Sequence, residues 1–163
     1  MTTPTSAVHP GVPAPASAAW LSAIRAEHVA GYGYGTLGPR LANDQHVTLA
    51  RACEQAHQAL AATAQQFLAT PAPTDTSSLG DFQLPLRPTD DASAQQLAIQ
   101  LESACASAWR YVLAQLSDQL GNDADPATAW TAAVTALSAT AVRAVQWRRL
   151  TDPSSSSVAF PGI

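Results

Sequence analysis

Glutamate occurs three times in the 163 residues, at Glu27, Glu54 and Glu102. It is a good surface residue of helices, so an alanine-rich helical chain should scatter it outward. Here each glutamate lies on or beside an apolar stripe with helical spacing. The first stripe is Trp20, Ile24, Glu27, Gly31, Tyr34 and Leu37. The second is Val47, Ala50, Glu54, His57, Ala61, Ala64 and Leu68, and the third is Ala98, Leu101, Glu102, Cys105, Trp109, Val112 and Leu116. Steps of three and four residues put each set on one helix face. Carboxylates and an imidazole turned toward a core have two uses. They ligate metal, or they close on one another and on a cation as a buried network.

Carboxylate-bridged metal centres in helical bundles take one glutamate from each of two helices and a Glu-x-x-His pair from each of the other two. This chain supplies Glu27, Glu54-x-x-His57 and Glu102, but the fourth helix reads Arg143-Ala144-Val145-Gln146 where the second pair belongs. Two metal ions need several carboxylates to neutralise them, and a guanidinium competes for those carboxylates as a fork-shaped partner. The expectation is therefore that Arg143 replaces the metal charge, with Gln146 and Tyr34 completing a buried polar network and no cofactor. The alternatives are a single metal ion held by Glu27, Glu54 and His57, and an iron- or manganese-binding oxidase or iron-handling protein using Glu27, Glu54, His57 and Glu102. Cys105, three residues after Glu102, faces the same cluster by spacing, and a buried inert thiol is the default for it. No catalytic residue is assigned: the chain has no nucleophile motif, glycine-rich phosphate loop or Cys-x-x-Cys pair.

These residues need four helices to carry them. The first spans about 17–38, from Ser17 as N-cap to the Gly38-Pro39 stop. The second spans about 43–68 behind Asn43 or Asp44. The third spans about 91–120, with Ser93-x-x-Gln96 as a capping box. The fourth spans about 126–149, with Asp125 as cap, Pro126 in the first turn and the stripe Trp130, Val134, Leu137, Ala141, Ala144 and Trp147. A proline-rich segment, 70–89, has no helical period. Extended chain covers about 3.3 Å per residue, enough for a crossover along the bundle, pinned by Phe82, Leu84 and Leu86. Short links make helices 1 and 2, and helices 3 and 4, antiparallel pairs. The expected fold is thus all-α, a ferritin-like four-helix bundle of two antiparallel pairs joined by a long crossover. Residues 1–16 form a disordered tail, 17–163 one domain, and 151–163 a C-terminal tail folding back. Counted from the turns, Glu27 and Glu54 lie at one height, about 20 Å from the first turn. Glu102 and Arg143 share another, so Glu27 should face Glu54 and Glu102 should face Arg143.

Composition narrows the function classes. Charged residues make up only 12% of the chain, the net charge is −4, and all basic charge is arginine, scattered without a stripe. Nucleic acid is therefore not an expected partner. No apolar run suits a membrane span or a secretory leader, and two cysteines are too few for a disulfide scaffold. A cytoplasmic protein is expected. The weakly charged, alanine-rich faces suggest a homodimer, and a small-molecule ligand between the helices beside Trp20, Trp109, Trp130 and Trp147 is a further possibility. The leading reading is a non-enzymatic scaffold or binding protein.

Five short motifs add a resemblance. They are Glu27-His28-x-x-x-Tyr32-x-Tyr34-Gly35, Ala56-His57, Leu101-Glu102, Ala141-Val142-Arg143-Ala144-x-x-Trp147-Arg148, and Phe160-Pro161-Gly162. In this order and spacing the chain from about Trp20 onward resembles an actinobacterial ferritin-like family of unknown function. The resemblance implies a ferritin-like fold, supplies no activity, and makes the helix-4 arginine part of the family's pattern.

Overall fold

The computed structural model describes residues 14–68, 83–117, 127–152 and 154. They form four α-helices: α1 (Ala14–Leu37), α2 (Asp44–Gln65), α3 (Asp91–Ser117) and α4 (Ala127–Thr151). A 3-10 turn, Gly38–Arg40, links α1 to α2.

The helix starts follow local chemistry, with two departures from expectation. α1 begins before Ser17, at Ala14. α2 is capped as expected: the Asn43 side chain accepts a hydrogen bond from the Gln45 backbone N–H at 2.7 Å. The box that starts α3 lies one turn earlier than Ser93-x-x-Gln96. The Asp90 carboxylate accepts from the Ser93 N–H at 2.8 Å, and the Ser93 hydroxyl oxygen accepts from the Asp90 N–H at 3.0 Å. Ser93 is thus the returning member of the box, with Asp90 as its cap. These bonds hold the Asp90 carboxyl below its ordinary pKa. Asp125, Pro126, Gly121, Phe82, Phe160 and most of both tails lie outside the described residues.

Two apolar clusters fix the helix directions. One joins Trp20 and Ile24 of α1 with Ala64 of α2, Trp109 and Val112 of α3, and Ala129 and Ala133 of α4. The other joins Tyr34 and Leu37 of α1 with Ala50 and Cys53 of α2, Leu97 and Leu101 of α3, and Trp147 of α4. The start of α1 therefore shares an end of the bundle with the end of α2, the end of α3 and the start of α4. Lateral neighbours are antiparallel, and α3 runs parallel to α2, so α2 ends and α3 begins at opposite ends of the bundle. An Asp91 carboxylate accepting from the Ala42 N–H at 2.9 Å confirms that α3 starts beside the α1–α2 turn. α1 packs on α2 and α3, and α3 on α4, while α2 and α4 barely touch. Leu84 and Leu86 pack against the second cluster, as expected of the crossover.

The close approach of α1 and α3 depends on Gly33. A Cβ there would stand 2.5 Å from Leu101 Cδ1 and 3.3 Å from Leu84 Cδ2. The inward face of α4 is not the one its large side chains suggest. Ala129, Ala133, Ala136, Thr140, Ala144 and Trp147 are buried, while Val134 is 39% exposed and Trp130 and Leu137 are half-buried. Small residues admit a closer helix, and the larger ones cover the seam from outside.

Candidate functional site

Between the two apolar clusters lies a polar one, at the middle of the bundle. Glu27 comes from α1, His57 from α2 and Glu102 from α3, and all three are fully buried. His57 bridges the glutamates. Its Nδ1 lies 2.5 Å from Glu27 Oε2 and its Nε2 lies 3.1 Å from Glu102 Oε1. Arg143 enters from α4, its Nε donating to both Glu102 oxygens at 3.1 and 3.2 Å and its Nη2 to Thr140 Oγ1 at 3.1 Å. The Tyr34 hydroxyl donates to Glu102 Oε1 at 2.7 Å, and the Trp109 indole N–H donates to Glu27 Oε1 at 2.6 Å. Tyr34 also stacks on the His57 ring, with centroids 5.4 Å apart.

The charges close on themselves. Burial opposes a charged His57, but hydrogen bonds and charge from Glu102 and Glu27 outweigh it and raise the ring's pKa above 6.5. Both ring nitrogens of His57 face a carboxylate oxygen, and the guanidinium faces the second glutamate, so each acidic side chain of the cluster has a basic partner. Burial, reinforced by Glu102, pushes the Tyr34 phenol well above its ordinary pKa, which keeps it a donor. Burial and the Glu27 carboxylate likewise keep the Cys105 thiol protonated. Burial raises Cys53 as well, beside Tyr34 and Trp147.

Of the residues expected in this site, Glu27, His57, Glu102, Arg143 and Tyr34 converge. Glu102 meets Arg143 as the height count requires, but Glu27 meets His57 and Trp109 where Glu54 was expected. Glu54 and Gln146 lie elsewhere. The buried line of α2 is Ala50, Cys53, His57, Ala61 and Ala64, so Glu54 is rotated about 100° from Cys53. It is half-buried, its Oε1 3.7 Å from where a Cβ on Gly35 would stand. There it lines a cavity of about 410 Å³ with Tyr34, Leu41, Val47, Ala50 and Arg51. Gln146 is exposed, because Thr140, Ala144 and Trp147 define the inward line of α4. His46 is half-buried, with its ring 6.5 Å from Trp147.

Three participants carried little or no sequence signal. Trp109 reads as core filling until its N–H is seen on Glu27. Thr140 is a threonine among alanines whose only cue is its place three residues before Arg143. Cys53 competes with Glu54 for the same stripe position, and apolar spacing alone does not choose between neighbours.

A bundle of antiparallel helices with a closed charge cluster at mid-height is the class of protein these observations define. The chain belongs to the family described as Domain of unknown function (DUF4439), which matches residues 19–163. It is similar to a solved structure, that of a conserved hypothetical protein, rv2844, from Mycobacterium tuberculosis. The two share 26% sequence identity and a TM-score of 0.66 over 86% of this chain and 99% of that one. No curated protein matches the chain. None of the described helices is long and apolar enough to cross a membrane.

Proposed function

We propose that this protein is a ferritin-like bundle acting as a non-enzymatic scaffold or binding protein, in which paired side chains stand where a dinuclear metal centre would be. The observation that carries this reading is the Arg143 guanidinium on both oxygens of Glu102. Glu102 Oε1 also takes Tyr34 and His57, so its lone pairs are committed. With Glu54 outside the cluster and a cation on α4, the donor set does not fit a carboxylate-bridged pair of ions. The four-helix order with a crossover between α2 and α3 supports the ferritin-like comparison, and two free buried cysteines suit a reducing, cytoplasmic setting.

The test is elemental analysis of protein purified without chelator or metal-binding tag, together with oxygen uptake on adding ferrous iron. The expected result is no iron or manganese at two per chain and no iron-dependent oxygen uptake. Two equivalents of iron or manganese, lost in Glu54→Ala, would overturn the reading in favour of the oxidase or iron-handling alternative.

The cavity beside Glu54 and Arg51 favours small-molecule binding as the form of that role. Its volume lies within the range of ligand pockets, and Tyr34 in its wall packs 6.0 Å from Trp147. A ligand seated there should alter tryptophan fluorescence, and the alteration should be lost in Arg51→Ala. A homodimer is the proposed assembly, because Tyr32, Tyr111 and Val142 are 46, 51 and 57% exposed on a weakly charged surface.

A further inference from the structure

Cys105 stands beside the charge cluster without a part in its balance. Its Sγ, a carboxylate oxygen of Glu27 and a ring nitrogen of His57 all lie within 4.8 Å of one another, and all three residues are buried. We propose that Glu27, His57 and Cys105 form a binding site for one zinc-class divalent ion. This goes beyond the scaffold reading and uses neither Glu54 nor a second metal.

The ligand types and spacing fit such an ion. Zinc takes cysteine sulfur at about 2.3 Å and histidine nitrogen or carboxylate oxygen at about 2.0–2.2 Å, in tetrahedral array. Those bond lengths place neighbouring ligand atoms about 3.2–3.8 Å apart. The present separations bracket that range, from 2.5 Å between Glu27 and His57 to at most 4.8 Å. Small side-chain shifts therefore bring all three atoms into register. A thiolate in the set favours a zinc-class ion over magnesium, calcium or manganese.

The surroundings already orient the ligands. Trp109 holds Glu27 Oε1, leaving Oε2 toward His57. Glu102 accepts from His57 Nε2, leaving Nδ1 on the Glu27 side. A carboxylate behind a histidine whose other nitrogen faces the ion is the usual second layer of a zinc site. Glu102 is in turn steadied by Arg143 and Tyr34, which also balance and anchor its charge. The exchange conserves charge. One divalent ion enters, and the proton shared between His57 Nδ1 and Glu27 Oε2 and the proton of the Cys105 thiol leave, so the buried cluster gains no net charge. Of the cluster's side chains, Arg143 reaches the surface, with its side chain 11% exposed.

The test is titration of the metal-free full-length chain with cobalt(II), followed by absorption spectroscopy. One cobalt per chain is expected, with tetrahedral ligand-field bands and a thiolate-to-cobalt charge-transfer band. Cys105→Ala should abolish the charge-transfer band and weaken binding at least tenfold, while Cys53→Ala and Glu54→Gln keep both. Circular dichroism checks that Cys105→Ala remains helical. Should it not, zinc protection of Cys105 against thiol alkylation in the unaltered chain, read by mass spectrometry, replaces it. No binding at micromolar cobalt, a spectrum without the charge-transfer band, unchanged affinity in a folded Cys105→Ala, or alkylation of Cys105 at the same rate with and without zinc would each overturn the site. Two irons per chain would defeat the scaffold reading and leave this one to the cobalt spectrum.

Discussion

Arg143 reaches Glu102 from a helix that brings no carboxylate to the core, and it leaves Glu102 fully buried behind it. Removing one member of a buried pair costs more than the pair contributes, because the other charge is left without a partner. Arg143→Met should therefore destabilise the protein by about 3 kcal/mol, measured by urea unfolding, and Glu102→Gln in the same background should recover part of the loss. Tyr34→Phe removes one hydrogen bond to a charged acceptor and should cost about 1.5 kcal/mol by the same measurement. His57 adds a pH dependence. Its pKa is higher in the folded chain than its unfolded value of 6.5, so the folded state binds the extra proton. The stability this contributes is complete below 6.5 and is lost as pH rises through the folded pKa. For the metal-free protein, urea midpoints should fall across that window, and His57→Gln should flatten the fall.

At the scale of elements, the glycines of α1 divide by what they face. Gly33 is pressed by Leu101 and Leu84, whereas a Cβ on Gly31 would meet nothing nearer than Gln58 at 3.8 Å. Glycine within a helix costs about 0.5–1 kcal/mol relative to alanine. Gly31→Ala should raise the thermal midpoint, since the helix gains and nothing must move. Gly33→Ala should lower it, since the Cβ would stand 2.5 Å from Leu101 Cδ1 and the buried Leu101 and the Leu84 side chain would both have to shift. Equal shifts in both variants would mean that α1 and α3 are not held by this contact. The α4 face follows related logic. Helices that approach closely bury alanine and threonine and push valine outward, so a ranking by hydrophobicity favours Val134 and Leu137 over Ala133 and Ala136.

For the whole molecule, the homodimer is a proposal that rests on exposed Leu21, Tyr32, Tyr111, Val134, Val142 and Leu150 set against so few charges. Light scattering at micromolar concentration should give twice the chain mass of 16.9 kDa. A single-chain mass there would remove the homodimer and leave those side chains as scattered surface residues. The bundle is also held differently along its length: apolar packing closes both ends, and paired charges close the middle.

The sequence by itself determined the four helices, their antiparallel pairing and the inward turn of Glu27, His57 and Glu102. Helical period, caps and link lengths are local properties, and a carboxylate on an apolar stripe has few places to go. It also placed Arg143 opposite Glu102, because residue counts from a short link convert directly into height. Only the tertiary structure decided between neighbours on one helix. Cys53 or Glu54, Ala133 or Val134, and Thr140 or Ala141 differ by one residue and about 100°, and the choice rests on which side chain fits the distance to the facing helix. Nor could spacing show that Trp109 would hold Glu27, or which members of the cluster the Cys105 thiol would meet. Those contacts depend on the rotation of three helices about their own axes, which is set by packing among all of them at once.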